Sequence, residues 1–141
     1  MTKTPNFFED KYAEVDKTLM EDGAPVDFGS GFIVDIRHVS SLAVTNARTK
    51  ITQQLKVMGR NKELTPEQNQ QVLKYVCAHG GIAGWHGGGV PEFTPAYALE
   101  VFEKRPEFLE DIVTAMTTYE TFRKEQIDEA VEALGKSSTG D

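Results

Sequence analysis

The chain has 141 residues, 39% of them hydrophobic and 26% charged, and a net charge of −7. That length fits one domain with a sizeable core, and the acidic balance argues against a dedicated surface for nucleic acid or anionic membrane. A single Cys excludes an internal disulfide framework and fits a reducing cytoplasm, no apolar run approaches the ~20 residues of a membrane span, and the N-terminus lacks a signal peptide's apolar core.

The charge is uneven. Residues 1–40 carry −4, 41–78 carry +4, 79–100 carry −2 and 101–141 carry −5. A basic middle beside an acidic tail fits intramolecular neutralisation or head-to-tail association. Solvated helix faces are the plainer account.

Residues 1–22 read as an N-terminal amphipathic arm. Phe8, Tyr12, Val15 and Leu19 step by 4, 3 and 4, which places them on one helical face. The arm either docks or orders on a partner, and Gly23-Ala24-Pro25 ends it. The period then changes to two: Val26, Phe28, Phe32, Val34 and Ile36 alternate around Asp27, Asp35 and Arg37. With Gly29-Ser30-Gly31 between the runs, this predicts a β-hairpin over 26–37, with strands at 26–28 and 32–37. Two strands alone are marginal in water, so the hairpin must rest on helices or pair with another chain.

Ser40-Ser41 can cap the next helix. Its stripe is Val44, Ala47, Ile51, Leu55 and Met58, with Gly59 at the C-terminal cap. Arg60 to Glu63 is a polar connector. Thr65-Pro66-Glu67-Gln68 has the residues of a capping box with Pro at the first helical position. Val72, Tyr75, Val76 and Cys77 form the buried side of that helix.

Residues 79–97 hold the only Trp, six of the twelve Gly and two of the three His. They read as a Gly-rich loop between helices, with Trp85 either plugging a helix junction or serving as a binding anchor. Thr94-Pro95 starts another helix, with Ala98, Val101 and Phe102 inward, ending near Lys104-Arg105. From Pro106 the longest pattern runs through Leu109, Ile112, Met116, Tyr119 and Phe122, then Ile127, Val131 and Leu134. It is expected to continue to about 134 or to hinge near 123–126. Residues 136–141 read as a flexible tail. The expected fold is α+β, mainly α: one domain over 23–135, with the small hairpin packed on a bundle of four or five helices.

Little in the sequence asks for catalysis. Cys77, His79 and His86 are the residue types of a metal site, but their spacing matches no zinc pattern and His38 is remote. A small metal-binding enzyme is the distant alternative. Cys77 lies mid-helix in an apolar stripe, where thiols are inert. His79 fits the negative end of a helix dipole. The Gly87-Gly88-Gly89 run has no following Gly-Lys-Ser/Thr and is no phosphate loop. The expectation is a non-enzyme without cofactor or metal.

From the hairpin onward, three blocks carry a family likeness. The first is the alternating Phe32-Ile-Val-Asp-Ile-Arg37 strand leading into the helix over 41–58. The second is a helical segment ending in Ala83-Gly-Trp85, then a loop to Pro91-Glu-Phe93-Thr-Pro95-Ala-Tyr-Ala-Leu99. The third is Arg105-Pro106, an apolar helix, Phe122-Arg123 and an acidic stretch to Gly135-Lys136. Over residues 24–136 the chain resembles the tail assembly chaperones of long-tailed (siphovirus-type) bacteriophages. The loop after Trp85 is short and Gly-rich where the family's is more acidic, and residues 1–22 lie outside the likeness.

The resemblance implies a protein of the infected host's cytoplasm, absent from the finished virion. It would bind the tape-measure protein and other tail proteins, keeping the tape measure soluble during tail assembly. It also implies a longer product made by programmed frameshifting near Gly135-Lys136. A structural tail or neck (head–tail joining) protein is the alternative. Trp85, Phe93, Tyr97 and Phe122 are the candidate partner-contact residues, and a homo-oligomer is compatible with the hairpin's free edge. No nucleic-acid or membrane partner is expected.

Overall fold

The alternation around Gly29-Ser30-Gly31 does produce a hairpin. In the computed structural model, which describes residues 6–58 and 63–123, β1 spans Ala24–Asp27 and β2 spans Ile33–Ile36. Val26 faces Val34 in antiparallel register. Gly29, Ser30 and Gly31 all have positive φ, and the Asp27 carboxylate accepts the Gly29 N–H at 2.8 Å. β1 therefore starts and stops earlier than alternation alone suggests, and β2 is one residue shorter at each end; Phe28 and Phe32 belong to the turn and close it with a Phe28 N–H bond to the Phe32 carbonyl at 2.9 Å.

A third strand corrects the expected Gly-rich loop. β3, Ile82–His86, pairs antiparallel with β2 and completes a sheet in the order β1-β2-β3. Trp85 faces Val34 and Gly84 faces Asp35, but Ile82 faces Ile36, so the register slips there. That slip is a β-bulge, in which two residues oppose one. It lets Ile82 and Trp85, three apart in sequence, both enter the core. Strict alternation fails across a bulge, and this is why the strand is invisible to a period-two reading.

The helices begin where their caps predict. Ser41 Oγ accepts the Val44 N–H at 3.3 Å at the start of α3, Leu42–Met58. Residues 59–62, including the expected Gly59 cap, lie outside the described residues. Thr65 and Gln68 close the predicted capping box at 3.1 and 2.9 Å before α4, Pro66–Val76. Thr94 caps α5, Pro95–Lys104, through the Tyr97 N–H at 3.1 Å. Between α4 and β3, Cys77–Gly81 form a π-helical turn. Its Gly80 lies against α3, where a Cβ would stand 2.8 Å from Val44 Cα.

The last helix is shorter than its apolar stripe. α6 spans Pro106–Thr117, and a 3-10 turn follows at Tyr119–Phe122. Thr114, Thr117 and Thr118 turn their hydroxyls back to carbonyls one turn earlier, with Thr118 Oγ1 at 2.6 Å from the Thr114 carbonyl. Such local bonds compete with helix continuation. The resumed stripe at Ile127, Val131 and Leu134 and the tail at 136–141 lie outside the described residues.

The N-terminal arm is two short helices, not one. α1 is Phe7–Lys11 and α2 is Lys17–Asp22. The Asp16 carboxylate accepts the N–H groups of Thr18 and Leu19, so it starts a fresh helix where the stripe predicts continuity. Val15, Leu19 and Met20 pack on the core, whereas Phe8 and Tyr12 remain exposed. The Asp16 N–H bonds the Phe122 carbonyl at 3.0 Å, and the His38 N–H bonds the Met20 carbonyl at 2.9 Å. The whole is α+β and mainly helical, its core filled by Val34 and Ile36 from the sheet with Val44, Val76, Phe102, Ile112 and Met116 from the helices. Among the described residues no helix is long and apolar enough to cross a membrane.

Candidate functional site

The aromatic residues gather at the hairpin-turn end of the sheet. β3 delivers the Trp85 ring, and its edge and face meet four others. The Trp85 centroid lies 5.0 Å from Phe93, 5.6 Å from Phe32, 5.9 Å from Tyr97 and 6.2 Å from Phe108. Phe28 adds to the cluster at 5.6 Å from Phe108, and Phe102 at 5.7 Å. Interplanar angles of 59–80° between Trp85 and its four neighbours give edge-to-face and tilted contacts, the arrangement that ring quadrupoles favour.

Local chemistry holds the indole there. Gly87, Gly88 and Gly89 all have positive φ, conformations that side-chain-bearing residues rarely adopt. They fold the chain back so that the Pro91 carbonyl accepts the Trp85 Nε1–H at 2.9 Å. Trp85 is thus a plug, as its surroundings in the sequence suggest, but it is carried on a strand. Only 8% of it is exposed.

The exposed rim of this cluster is a groove of about 200 Å3, lined by Phe32, Trp85, Val90, Tyr97, Val101, Arg105 and Phe108. It is apolar apart from Arg105 at its mouth, which forms no ion pair among the described residues. A second hollow, of about 400 Å3, runs between α4 and α6, past Leu73, Leu109 and Val113.

Of the four residues singled out from sequence, Trp85, Phe93 and Tyr97 come together here. Phe122 does not. It is fully buried at the other end of β2, edge-on to His38 at 5.2 Å. Phe32, Val90, Val101, Arg105 and Phe108 line the groove without having been singled out. Phe108 sits one position before Leu109 of the helical stripe, and Phe32 belongs to the alternating strand pattern. Aromatic composition alone would have flagged both.

The titratable side chains divide by burial. Cys77 is fully buried, its Sγ 3.7 Å from Met116 Sδ, and burial pushes the thiol up to about 12, against a smaller opposing pull from Arg48. A thiol at that value is no nucleophile near neutral pH. Desolvation, then the Lys50 charge, lowers the pKa of His79. Both effects work against the charged ring that the negative end of a helix would favour, and the residue stays exposed. His79 instead stacks on Tyr75 with centroids 4.0 Å apart. Asp35, half-buried on β2, is raised by burial, with His86 pulling the other way. Among the described residues no three His, Cys, Asp or Glu side chains converge to hold a metal ion.

The class that the described residues define is a small, mainly helical α+β protein carrying an open aromatic groove. The family described as YdaY prophage protein matches residues 39–133. The chain belongs to that family, and it is phage-derived. No curated protein and no solved structure matches it.

Proposed function

We propose that this phage protein is a tail assembly chaperone that acts by contact and not by catalysis, taking apolar stripes of the tape-measure protein into the Trp85 groove. The open apolar groove carries this reading; family membership supports a phage role, and the sequence likeness supports the tail-assembly assignment. One buried apolar side chain contributes roughly 1.5–3 kcal/mol, so a single groove holds a client weakly. A long helical client engaging many copies gains by multivalency. Release as the tube polymerises then requires no energy source, and the host cytoplasm is the compartment this role implies.

The trial is co-expression with the tape-measure protein encoded beside it. The tape measure should move to the soluble fraction with the wild-type chain and remain insoluble with Val101→Glu, which sets a charge in the groove wall. Equal solubility of the tape measure without the chain sinks the proposal. Recovery of the chain from purified particles by mass spectrometry would point instead to a structural tail or neck protein.

A further inference from the structure

The chain displays an aromatic knob as well as an aromatic groove. Phe7, Phe8 and Tyr12 are 61%, 66% and 62% exposed. Their rings contact one another at 5.5–6.3 Å, and no other aromatic ring meets them among the described residues. Three large rings packed only on each other in water are costly to leave uncovered. The segment 9–14 carries three acids, Glu9, Asp10 and Glu14, against one base, Lys11, and Glu9, Lys11 and Glu14 are exposed, so the knob is acidic on balance. The groove has room for one aromatic side chain and presents the exposed Arg105 at its mouth. Knob and groove therefore match in both surface chemistry and charge.

In its own chain the knob stays outside the groove: among the described residues its three rings meet only one another, and no residue of the arm lines the groove. The groove of a second copy is therefore open to it.

We propose that the Phe7-Phe8-Tyr12 knob of one copy docks in the Trp85 groove of another, with Glu9 and Glu14 facing Arg105. This rests on neither the chaperone reading nor any client. The contact is one surface meeting a different surface. It closes into a symmetric pair when two copies exchange arms and extends into a chain when they do not.

Analytical ultracentrifugation of the full-length chain tests this, read beside the fluorescence of Trp85, the only Trp. The wild type should self-associate with rising concentration. The triple variant Phe7→Ser, Phe8→Ser, Tyr12→Ser changes only exposed residues. It should weaken association at least about tenfold, as loss of aromatic anchors does, and red-shift Trp85 emission. Arg105→Glu, also at an exposed position, should weaken association too, and adding Glu9→Lys and Glu14→Lys should restore part of it. A wild type that is monomeric at every concentration overturns the proposal. If Trp85 emission nonetheless shifts in the triple variant, the arm covers its own groove. Association as tight in the triple variant as in the wild type also overturns it, because the copies then meet elsewhere.

Discussion

Two side chains show how differently burial acts at the residue scale. Trp85 fills the junction between sheet and helices, so Trp85→Ala should cost about 3–5 kcal/mol in urea unfolding. Trp85→Phe keeps most of the packing but leaves the Pro91 carbonyl without its donor, and should cost nearer 1 kcal/mol. If the alanine variant is as stable as wild type, the ring does not seal the core. His38 is a polar counterpart, 4% exposed and stacked on Tyr119 at 4.9 Å. Its Nδ1 accepts the Ser40 N–H at 3.0 Å and lies 2.7 Å from Ser40 Oγ, so a proton on Nδ1 would break that arrangement. Burial holds its pKa below the ordinary 6.5. A lowered folded-state pKa gives stability that is present above 6.5 and lost as pH falls through the folded value. Stability measured between pH 7.5 and 5 should therefore drop, and His38→Phe should remove this residue's share of the drop while His79 keeps its own. An unchanged acid slope in His38→Phe would rule the assignment out. Cys77 as core and Trp85 as plug were legible from their neighbours in the chain. The lowered pKa of His79 was not, since Lys50 acts on it from α3.

Elements were legible in proportion to how local their causes are. Thr65 with Gln68, and Thr94 with Pro95, act within four residues, and both helices start where those signals lie. The bulge opposite Ile36 is a property of two strands far apart in sequence, so Ile82–His86 looked like loop. The Thr114–Thr118 hydroxyls cut a helix whose apolar stripe continues, because the stripe reports burial and the hydroxyls report backbone competition. Close packing of the π-helical turn on α3 gives a prediction at this scale. Gly80→Ala would place Cβ 2.8 Å from Val44 Cα and 2.9 Å from the Ala43 carbonyl oxygen. Backbone cannot yield as a side chain does, so a loss of about 1–3 kcal/mol is expected. Gly84→Ala meets nothing nearer than Asp35 Oδ2 at 3.9 Å and should stay within about 0.5 kcal/mol of wild type. Equal effects of the two substitutions in thermal unfolding would contradict the close approach.

For the whole molecule, the family match begins at residue 39, just after β2. The fold does not divide there. Ala24, Ile33, Val34 and Ile36 are all fully buried, and without them β3 has no partner and the inner face of Trp85 is bare. A fragment of residues 39–141 should show no cooperative unfolding transition by circular dichroism, whereas residues 16–141 should retain one. A sharp transition in the shorter fragment would mean that the helices hold β3 alone. The mainly helical α+β class was readable from apolar periodicity, yet the place of the hairpin within it was not, because that depends on a strand of unfamiliar composition. The middle strand of the sheet is made early and one of its two partners late: Val34 and Trp85, paired across it, are 51 positions apart. At ~5–20 residues per second a ribosome needs about 3–10 s to make that stretch. During those seconds the nascent hairpin waits with Val34 and Ile36 facing water, so the birth of this protein includes an interval in which it needs shelter of its own.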